Sequence, residues 1–451
     1  MTTATRPMQQ DKPTHVRYLI LLMLFVASTF SYGDRVVLSI AALSLTHDLQ
    51  LDPLRLGYLF SGFSWAYAAA QLPAGGLLDR FGSKPVYGIS IIAWSVCALA
   101  AGCTGYLPAV AAFYTLFALR LLSGLAQSPV FPGNGRIVAA WFPTRERGTA
   151  SAIFNSSQYF SLVFFAPIMG YIAHLWGWKQ CFWFAGAVGL LLSLVWFRIV
   201  YGVKNHPHIS QSEIDAIELG GGLAILDAAG RPRTNTLTWS AIRWLLSRRM
   251  LVGIYLGQYC ITTLTWFFLT WFPVYLNRAR HIPIVKVGFL AAVPALCGCF
   301  GGILGGIVSD RLLRATGSLT FARKAPIVAG MLLAMTMVGC NYVSTPTAVV
   351  ALMALAFFGK GFGALGWTVV SDTSPRTLIG INGGLFNLIG NLAGITTPIV
   401  IGYIVKRTGS FHLALVFVAA TAMMAIVAYL PLVGEIRRLD APATLTPAPT
   451  A

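Results

Sequence analysis

Ser31-Tyr32-Gly33-Asp34-Arg35 lies inside the first long apolar segment of the chain, which spans residues 18–45. An adjacent acid and base are costly at membrane depth, because each costs roughly 2.5–3.5 kcal/mol at the centre of a membrane helix. Ionisable residues in such segments usually face a polar cavity and act on an ion or a substrate. The stretch therefore predicts a membrane helix in which Asp34 and Arg35 belong to a transport site.

The composition is that of an integral membrane protein. Of the 451 residues, 56% are hydrophobic and only 10% are charged, and the mean hydropathy is +0.71. Soluble domains carry about 25% charged residues. The apolar stretches are about 20 residues long, which fits membrane helices better than the shorter alternating strands of a barrel. Residues 1–16 are polar and basic, so we expect no cleavable signal peptide and insertion directed by the first span.

Membrane topology also explains the cysteines and the net charge. All seven cysteines lie in or beside apolar segments, and no Cys/His cluster has metal-ligand spacing. We therefore expect no disulfide framework, no metal and no other cofactor. The net charge of +18 invites a nucleic-acid partner, but in a membrane chain loop Lys and Arg are explained first by topology, so we expect none. An enzyme or a nutrient sensor is disfavoured, since no nucleophile–base pair or sizeable soluble domain is present.

Twelve segments have the length of a membrane span. Their approximate boundaries are 18–45, 56–78, 85–104, 107–132, 148–173, 177–201, 250–277, 286–309, 324–342, 345–370, 379–404 and 410–433. Lys and Arg are denser in the loops of one side, and the positive-inside rule places that side and both termini in the cytoplasm. The expected organisation is a cytoplasmic tail at 1–17, a six-helix half at 18–201, a cytoplasmic linker at 202–249, a second six-helix half at 250–433 and a cytoplasmic tail at 434–451.

The linker carries two helix signals. The sequence from Ser210 to Glu213 predicts a capping box that opens a short helix. Residues from Trp239 to Leu246, followed by Arg248 and Arg249, predict an amphipathic helix at the lipid headgroups. The linker is interpreted as a tether between the halves, and a site for a regulatory partner is the alternative.

The two halves repeat one signal. Gly75-Gly-Leu-Leu-Asp79-Arg80 closes the second span, and Gly306-Ile-Val-Ser-Asp310-Arg311 closes the eighth. Duplicated halves with a substrate site at their interface are a common plan among transporters. The loop residues are interpreted as gate and topology elements rather than substrate ligands. The predicted gating set is Asp79, Arg80, Lys84, Asp310 and Arg311.

These motifs resemble the major facilitator superfamily and, within it, the anion:cation symporter family. The narrower likeness is carried by Phe30–Arg35, by Phe131–Arg136 with Trp141–Pro143, and by Thr270–Pro273, and it is greatest to bacterial glucarate/galactarate transporters. The resemblance implies an all-α membrane protein with twelve transmembrane helices in two pseudo-symmetric six-helix halves. It also implies proton-coupled import of a sugar acid through the bacterial inner membrane by alternating access, and we expect a monomer.

One position departs from the pattern of the family. Related sugar-acid symporters have a Glu seven residues after an Arg in the fourth span, whereas here Arg120 is followed at that spacing by Gln127. Seven residues make about two helical turns, so both side chains face the same way. Gln has the shape of a protonated Glu but cannot ionise. We therefore expect altered coupling, without a second titrating carboxylate.

The charges within the spans predict an acidic cargo. Asp34 is the one acid that lies well inside a predicted span, against Arg35, Arg120 and Lys360, which leaves a surplus of two positive charges. A buried charge without a partner costs several kcal/mol, so the substrate is expected to supply the missing anions. A surplus of two suits a dicarboxylate such as an aldarate. For Lys360 the alternative is a lysine that snorkels to the end of its span.

Individual roles follow from chemistry and from the resemblance. Arg35 and Arg120 are candidates for a substrate carboxylate, and Lys360 is predicted to hold the distal one. The resemblance adds Tyr32, Tyr67, Arg120 and Gln158 in the first half and Gln258, Trp367 and Asn387 in the second. Ordinary helix packing is the alternative for the aromatic residues.

Asp34 is the candidate proton carrier, grouped with Gln127 as the proton-coupling pair. Arg35 and Arg120 favour its charged form, and a substrate that engages them promotes protonation. A permanent structural ion pair is the alternative. A carrier of monocarboxylate sugar acids such as galactonate or a hexuronate, or an uncoupled exchanger, remains open for the whole chain.

Overall fold

The computed structural model describes residues 14–224, 239–375, 378–440 and 442, and all regular structure in this part is helical. The helices in chain order are α1 Val16–Asp48, α2 Pro53–Phe81, α3 Ser83–Tyr106, α4 Ala109–Trp141, α5 Arg147–Trp176, α6 Trp178–Ile199, α7 Gln211–Leu219, α8 Trp239–Leu246, α9 Arg249–Arg278, α10 Ile284–Thr316, α11 Leu319–Asn341, α12 Pro346–Thr373, α13 Ile379–Thr408 and α14 His412–Leu432.

Eleven of the long helices in the described chain are long and apolar enough to cross a membrane. The helix outside that set is α2, which is 29 residues long but carries Ser61, Ser64 and Gln71 among its apolar residues. It packs against α4 and α13. The prediction of an all-helical bundle with twelve long helices is confirmed.

The largest difference between a predicted and an observed helix end is at the end of the fourth span, where polar residues follow a proline. The fourth span was expected to end at 132, but α4 bends at Ser128–Pro129 and resumes over Val130–Trp141. Asn134 lies in this last part with 1% exposure, and its Nδ2 donates to Ser28 Oγ at 2.7 Å. The polar residues end the apolar pattern, whereas the helix continues because α1 supplies their partners.

Two of the long helices of the second half change pitch near the middle of the bundle. α9 contains a π-turn over Phe267–Trp271, just before Pro273, whose ring nitrogen cannot donate to the preceding turn. α12 tightens to 3₁₀ geometry over Phe362–Leu365, which begins two residues after Lys360. Such irregular turns are frequent at functional positions.

The two halves, α1–α6 and α9–α14, meet mainly through α2 with α13 and α5 with α10. Gly402 of α13 permits close approach at the end of the bundle away from the termini, because a Cβ there would lie 2.5 Å from the carbonyl oxygen of Pro53. At that end the Lys406 ammonium lies 3.0 Å from the Asp52 carboxylate. On the termini side, a Cβ at Gly380 or Gly384 meets no atom within 4 Å. The halves are therefore in close contact at the far end, whereas these two glycines near the termini have open space beside them.

The first part of the linker is fastened to the first half. Ser210 Oγ accepts from the Glu213 N–H, as predicted, but the Glu213 carboxylate does not return to Ser210. It accepts instead from the N–H groups of Val16 at 3.1 Å and Arg17 at 3.2 Å, with 2% of the residue exposed. The predicted capping box is wrong in this respect. The first N–H groups of α1 have no partner within that helix, so they donate to the Glu213 carboxylate. The carboxylate then lies at the N-termini of two helices, α1 and α7, and both favour a negative charge.

Candidate functional site

A buried ion pair joins α1 to α4. Arg120 Nη1 donates to Asp34 Oδ2 at 2.8 Å, and each residue is 5% exposed. Gln127 Nε2 donates to the same oxygen at 3.1 Å, and its Oε1 accepts from Ser31 Oγ at 2.8 Å. The shared helix face that the seven-residue spacing predicts is thus present in the structure.

Gly33 sets the position of this pair in the bundle. A Cβ at Gly33 would lie 2.7 Å from the ring of Phe165 on α5. Phe165 also meets Phe30 edge-on, with the ring centroids 5.0 Å apart. A side chain at residue 33 would therefore push α1 away from α5 and move Asp34 with it.

Arg35 forms no ion pair with Asp34 and lies among a group of aromatic rings. Its guanidinium carbon lies 4.6 Å from the ring centroid of Tyr32, 4.4 Å from Phe63, 5.6 Å from Tyr67 and 5.7 Å from Trp266. Arg35 is 8% exposed, and its Nε has no hydrogen-bond partner. The rings stabilise the cation through their faces and leave the edge of the planar fork available to a carboxylate.

Lys360 is the corresponding cation of the second half. It is 5% exposed, and its Nζ lies 3.4 Å from the hydroxyl of Tyr159 on α5. In the part of the chain that the structure describes, no carboxylate lies within ion-pair distance of Arg35 or Lys360. Of the central charges, Asp34 and Arg120 neutralise each other, and two cations remain.

A small cavity lies between the two halves beside these cations. Its volume is about 20 Å³, which is room for about one water molecule. The lining residues come from both halves and are Tyr32, Gln158, Tyr159, Leu162, Thr265, Phe268, Leu269 and Phe357. A six-carbon acid needs more space, so its entry requires the halves to separate further here.

The other predicted pocket residues of the second half lie towards the termini side. Gln258 Nε2 donates to Thr262 Oγ1 at 3.3 Å. Trp367 is 36% exposed and stacks on Phe131 of the first half, with ring centroids 5.7 Å apart. Asn387 is half-buried and accepts from Asn391 Nδ2. The structure gives no contact between these three residues and the Arg35 group.

The predicted gating residues form contacts within each half. Asp79 pairs with Arg136 of α4, and Lys84 Nζ lies 3.1 Å from the ring centroid of Tyr201. Asp310 lies 3.2 Å from Arg323 of α11, which also binds Asp372 of α12 at 2.9 Å. Arg80 and Arg311 are exposed. The gating role stays a prediction, because these ion pairs do not join one half to the other.

Sequence reasoning missed several contributors to the centre. Phe63, Trp266 and Tyr159 surround the two unpaired cations, and nothing in their local sequence separates them from ordinary apolar packing. Away from the centre, Arg323 is a further residue that the sequence did not single out. It lies between Asp310 and Asp372 because the folding of the chain brings α10, α11 and α12 together.

Known proteins with similar sequences are membrane transporters. A sequence model of the Major Facilitator Superfamily matches residues 24–398. A probable galactarate/D-glucarate transporter of Bacillus subtilis (strain 168) is 56% identical over 95% of this chain and 94% of its own. A protein of the same description from Escherichia coli (strain K12) is 52% identical over 95% and 96%. A D-galactonate transporter of Escherichia coli O6:H1 is 39% identical over 96% and 99%.

Solved structures share the fold at low sequence identity. A bacterial homologue of the human lysosomal transporter Spinster, in an inward-facing and unoccupied conformation, superposes with a TM-score of 0.70 at 16% identity, covering 93% of this chain and 97% of its own. A D-xylose-proton symporter gives 0.70 at 13% identity, covering 93% and 98%. With a family match over most of its length, the chain belongs to the Major Facilitator Superfamily and is a multi-pass membrane transport protein, not an enzyme.

Proposed function

We propose that the chain imports a sugar diacid of the glucarate or galactarate type together with protons, by alternating access. The observation that carries this proposal is the charge at the centre of the bundle. Asp34 is already engaged by Arg120, and Arg35 and Lys360 are buried beside the cavity without a carboxylate. A dianion balances both cations, and the relatives at 56% and 52% identity are described as probable galactarate/D-glucarate transporters.

Proton coupling is assigned to Asp34. In this conformation its carboxylate accepts hydrogen bonds from Arg120 and from the amide N–H of Gln127. A substrate carboxylate that draws Arg120 towards itself removes the strongest of these partners, and the buried acid then takes up a proton. Substrate and proton therefore bind together. Gln127 orients the carboxylate but carries no proton of its own.

The proposed orientation assigns the two ends of the bundle to the two sides of the membrane. With both termini in the cytoplasm of a bacterial cell, the closed far end faces outwards, as in an inward-facing state of an inner-membrane protein. The Asp52–Lys406 pair and the close approach at Gly402 then form the outer closure. The substrate ligands are Tyr32, Arg35, Tyr67, Arg120 and Gln158, with Gln258, Trp367 and Asn387 lining the path from the second half.

Uptake by the purified protein in liposomes tests the function. Labelled glucarate should accumulate above its external concentration when the outside is acidic, and it should only equilibrate without a pH gradient. Liposomes without protein and a collapse of the gradient by a protonophore are the controls. Equal uptake with and without the gradient would favour the uncoupled exchanger that Gln127 suggests.

A carrier of monocarboxylate sugar acids is the second candidate, because the relative at 39% identity is described as a D-galactonate transporter. The same liposomes separate the two candidates when unlabelled acids compete with labelled glucarate. Galactarate should compete strongly, and galactonate, which has the same carbon count but one carboxylate, should compete weakly. Stronger competition by galactonate would favour the second candidate.

A further inference from the structure

Lys360 is buried, and a buried ammonium group needs an anionic partner. It belongs to α12, just before the 3₁₀ turn at Phe362–Leu365, and 5% of its surface is exposed. A snorkelling lysine carries its ammonium to water, whereas this ammonium is covered by Phe357 and Tyr159. A tyrosine hydroxyl at 3.4 Å is a weak partner for a buried cation.

Tyr159 crosses from the first half to meet this lysine. It projects from α5 and packs its ring against Phe357 of α12, with centroids 5.9 Å apart. Gly298 of α10 makes room for it, since a Cβ there would lie 3.0 Å from the Tyr159 ring. When the hydroxyl accepts from Lys360, its own proton remains available for donation. The pair thus offers an ammonium and an O–H donor, which is a set suited to a carboxylate.

The same cavity connects this pair with the other unpaired cation. Tyr159 lines it together with Tyr32, whose ring lies against the Arg35 guanidinium. Gln158 also lines it and can bind the hydroxyl groups of a ligand held between the two cations. The arrangement provides one carboxylate position in each half, with a polar side chain between them.

We propose that Lys360 and Tyr159 form the second carboxylate site, which selects diacids over monoacids and joins the two halves through the substrate. This inference rests on the proposed function, since it assigns the distal end of the cargo. A diacid held by Arg35 at one end and by Lys360 at the other bridges the halves. A monoacid of equal length places a CH₂OH group against Lys360 and leaves that cation buried without an anion.

Binding of two matched acids to the full-length protein in lipid nanodiscs tests the site. Glucarate and gluconate have the same six-carbon chain and differ in one terminal carboxylate. Lys360→Met should weaken glucarate binding by about 10- to 100-fold, the loss typical of a hydrogen bond to a charged group. Gluconate binding should stay within about twofold, because its terminal group has no charge to pair. Lys360→Arg should retain most of the preference for glucarate.

The matched control is Lys324→Met. Lys324 is also a buried lysine of the second half, but its Nζ donates to the carbonyl oxygen of Leu430 at 3.2 Å, outside the cavity. This variant should leave the affinities for both acids unchanged. Tyr159→Phe removes only the hydroxyl and should lower the glucarate-to-gluconate ratio by about 3- to 10-fold.

The outcomes separate the two proposals. An unchanged ratio of affinities in Lys360→Met, or an equal loss for both acids, would overturn the carboxylate site even if the wild-type protein transports glucarate. A wild-type protein that neither binds nor transports either acid would instead contradict the proposed function. If Lys360→Met fails to fold, as judged by size-exclusion chromatography, Tyr159→Phe decides, and an unchanged ratio in that variant overturns the inference.

Discussion

The two halves carry similar ion pairs at their helix ends and different charges at their centres. Asp79 pairs with Arg136 in the first half, and Asp310 and Asp372 pair with Arg323 in the second. At the centre, the first half has an acid with two arginines, whereas the second has a single lysine, Lys360. The paired ends hold each half together as a unit.

This difference assigns separate tasks to structurally similar halves. An ion pair within one half moves with that half and can persist through a rocking motion. The central charges instead depend on what lies between the halves, because Arg35 touches Trp266 of the second half and Lys360 touches Tyr159 of the first. Changes at the centre should therefore affect coupling and affinity far more than changes at the ends.

The largest effect is expected from Asp34→Asn. Within the long helices of the described chain Asp34 is the one buried carboxylate, so its loss removes the proposed proton carrier. Accumulation of glucarate driven by a pH gradient should be abolished, while exchange of labelled for unlabelled glucarate across the liposome membrane should survive. Glu218→Gln, on the exposed surface of the linker, is the control. Accumulation at the wild-type level in Asp34→Asn would refute this assignment.

Arg35→Lys should weaken substrate binding by about 10- to 100-fold. Lysine keeps the charge but loses the planar fork that stacks between Tyr32 and Phe63 and binds a carboxylate through two donors. Isothermal titration with glucarate measures the change, with the Lys324→Met protein as a control for a change at a buried cation that lies outside the cavity. Wild-type affinity would mean that charge alone, without guanidinium geometry, binds the acid at this position.

Gln127→Glu should change the coupling more than the affinity. The introduced carboxylate would lie within hydrogen-bond distance of Asp34, and two neighbouring carboxylates cannot both be charged at low cost. We expect one additional proton to be bound per transport cycle, and therefore a steeper dependence of accumulation on the pH gradient. Accumulation ratios measured at several imposed gradients give the stoichiometry. The same slope in both proteins would show that Gln127 has only a structural role.

Some features of the two halves can be predicted from the sequence, and others cannot. The twelve long helices follow from the length of the apolar segments, and the common face of Arg120 and Gln127 follows from helical periodicity. Both are local properties of the chain. The different partners of Asp34 and Arg35 cannot be predicted from local sequence. Adjacent residues on a helix point about 100° apart, and which direction meets Arg120 and which meets Phe63 is decided by other helices.

Glu213 of the linker is a second residue whose partners could not be predicted from the local sequence. Its spacing from Ser210 fits a local capping box, but the opening turn of α1 provides stronger donors from nearly 200 positions away in sequence. Tyr159 is a third case, since only the packing of α5 against α10 and α12 gives its hydroxyl a cation. Local patterns therefore locate the elements and many of the charged residues, while tertiary contacts determine their partners.

The smallest effect is expected at the one described ion pair that joins the halves, Asp52 with Lys406. Burial raises the pKa of the Asp52 carboxyl, but the Arg55 N–H and the Lys406 ammonium outweigh it, and the pKa lies below its usual value. Such a pair stabilises the closed far end at pH values above the ordinary pKa of about 4, and the contribution is lost as the pH falls through the lowered pKa.

Asp52→Asn separates the charge from the helix cap, because asparagine also caps a helix well. Both partners are partly exposed, so the ratio of closed to open far ends should fall by at most about fivefold at pH 7. Spin labels on Gln50 and Ser410, in a background without the native cysteines, report the separation of the two halves there. The wild-type protein should approach the behaviour of the variant below about pH 4. If both proteins give the same distance distribution at pH 7, the far end is held closed by the packing of α2 against α13, and the ion pair contributes nothing measurable to alternating access.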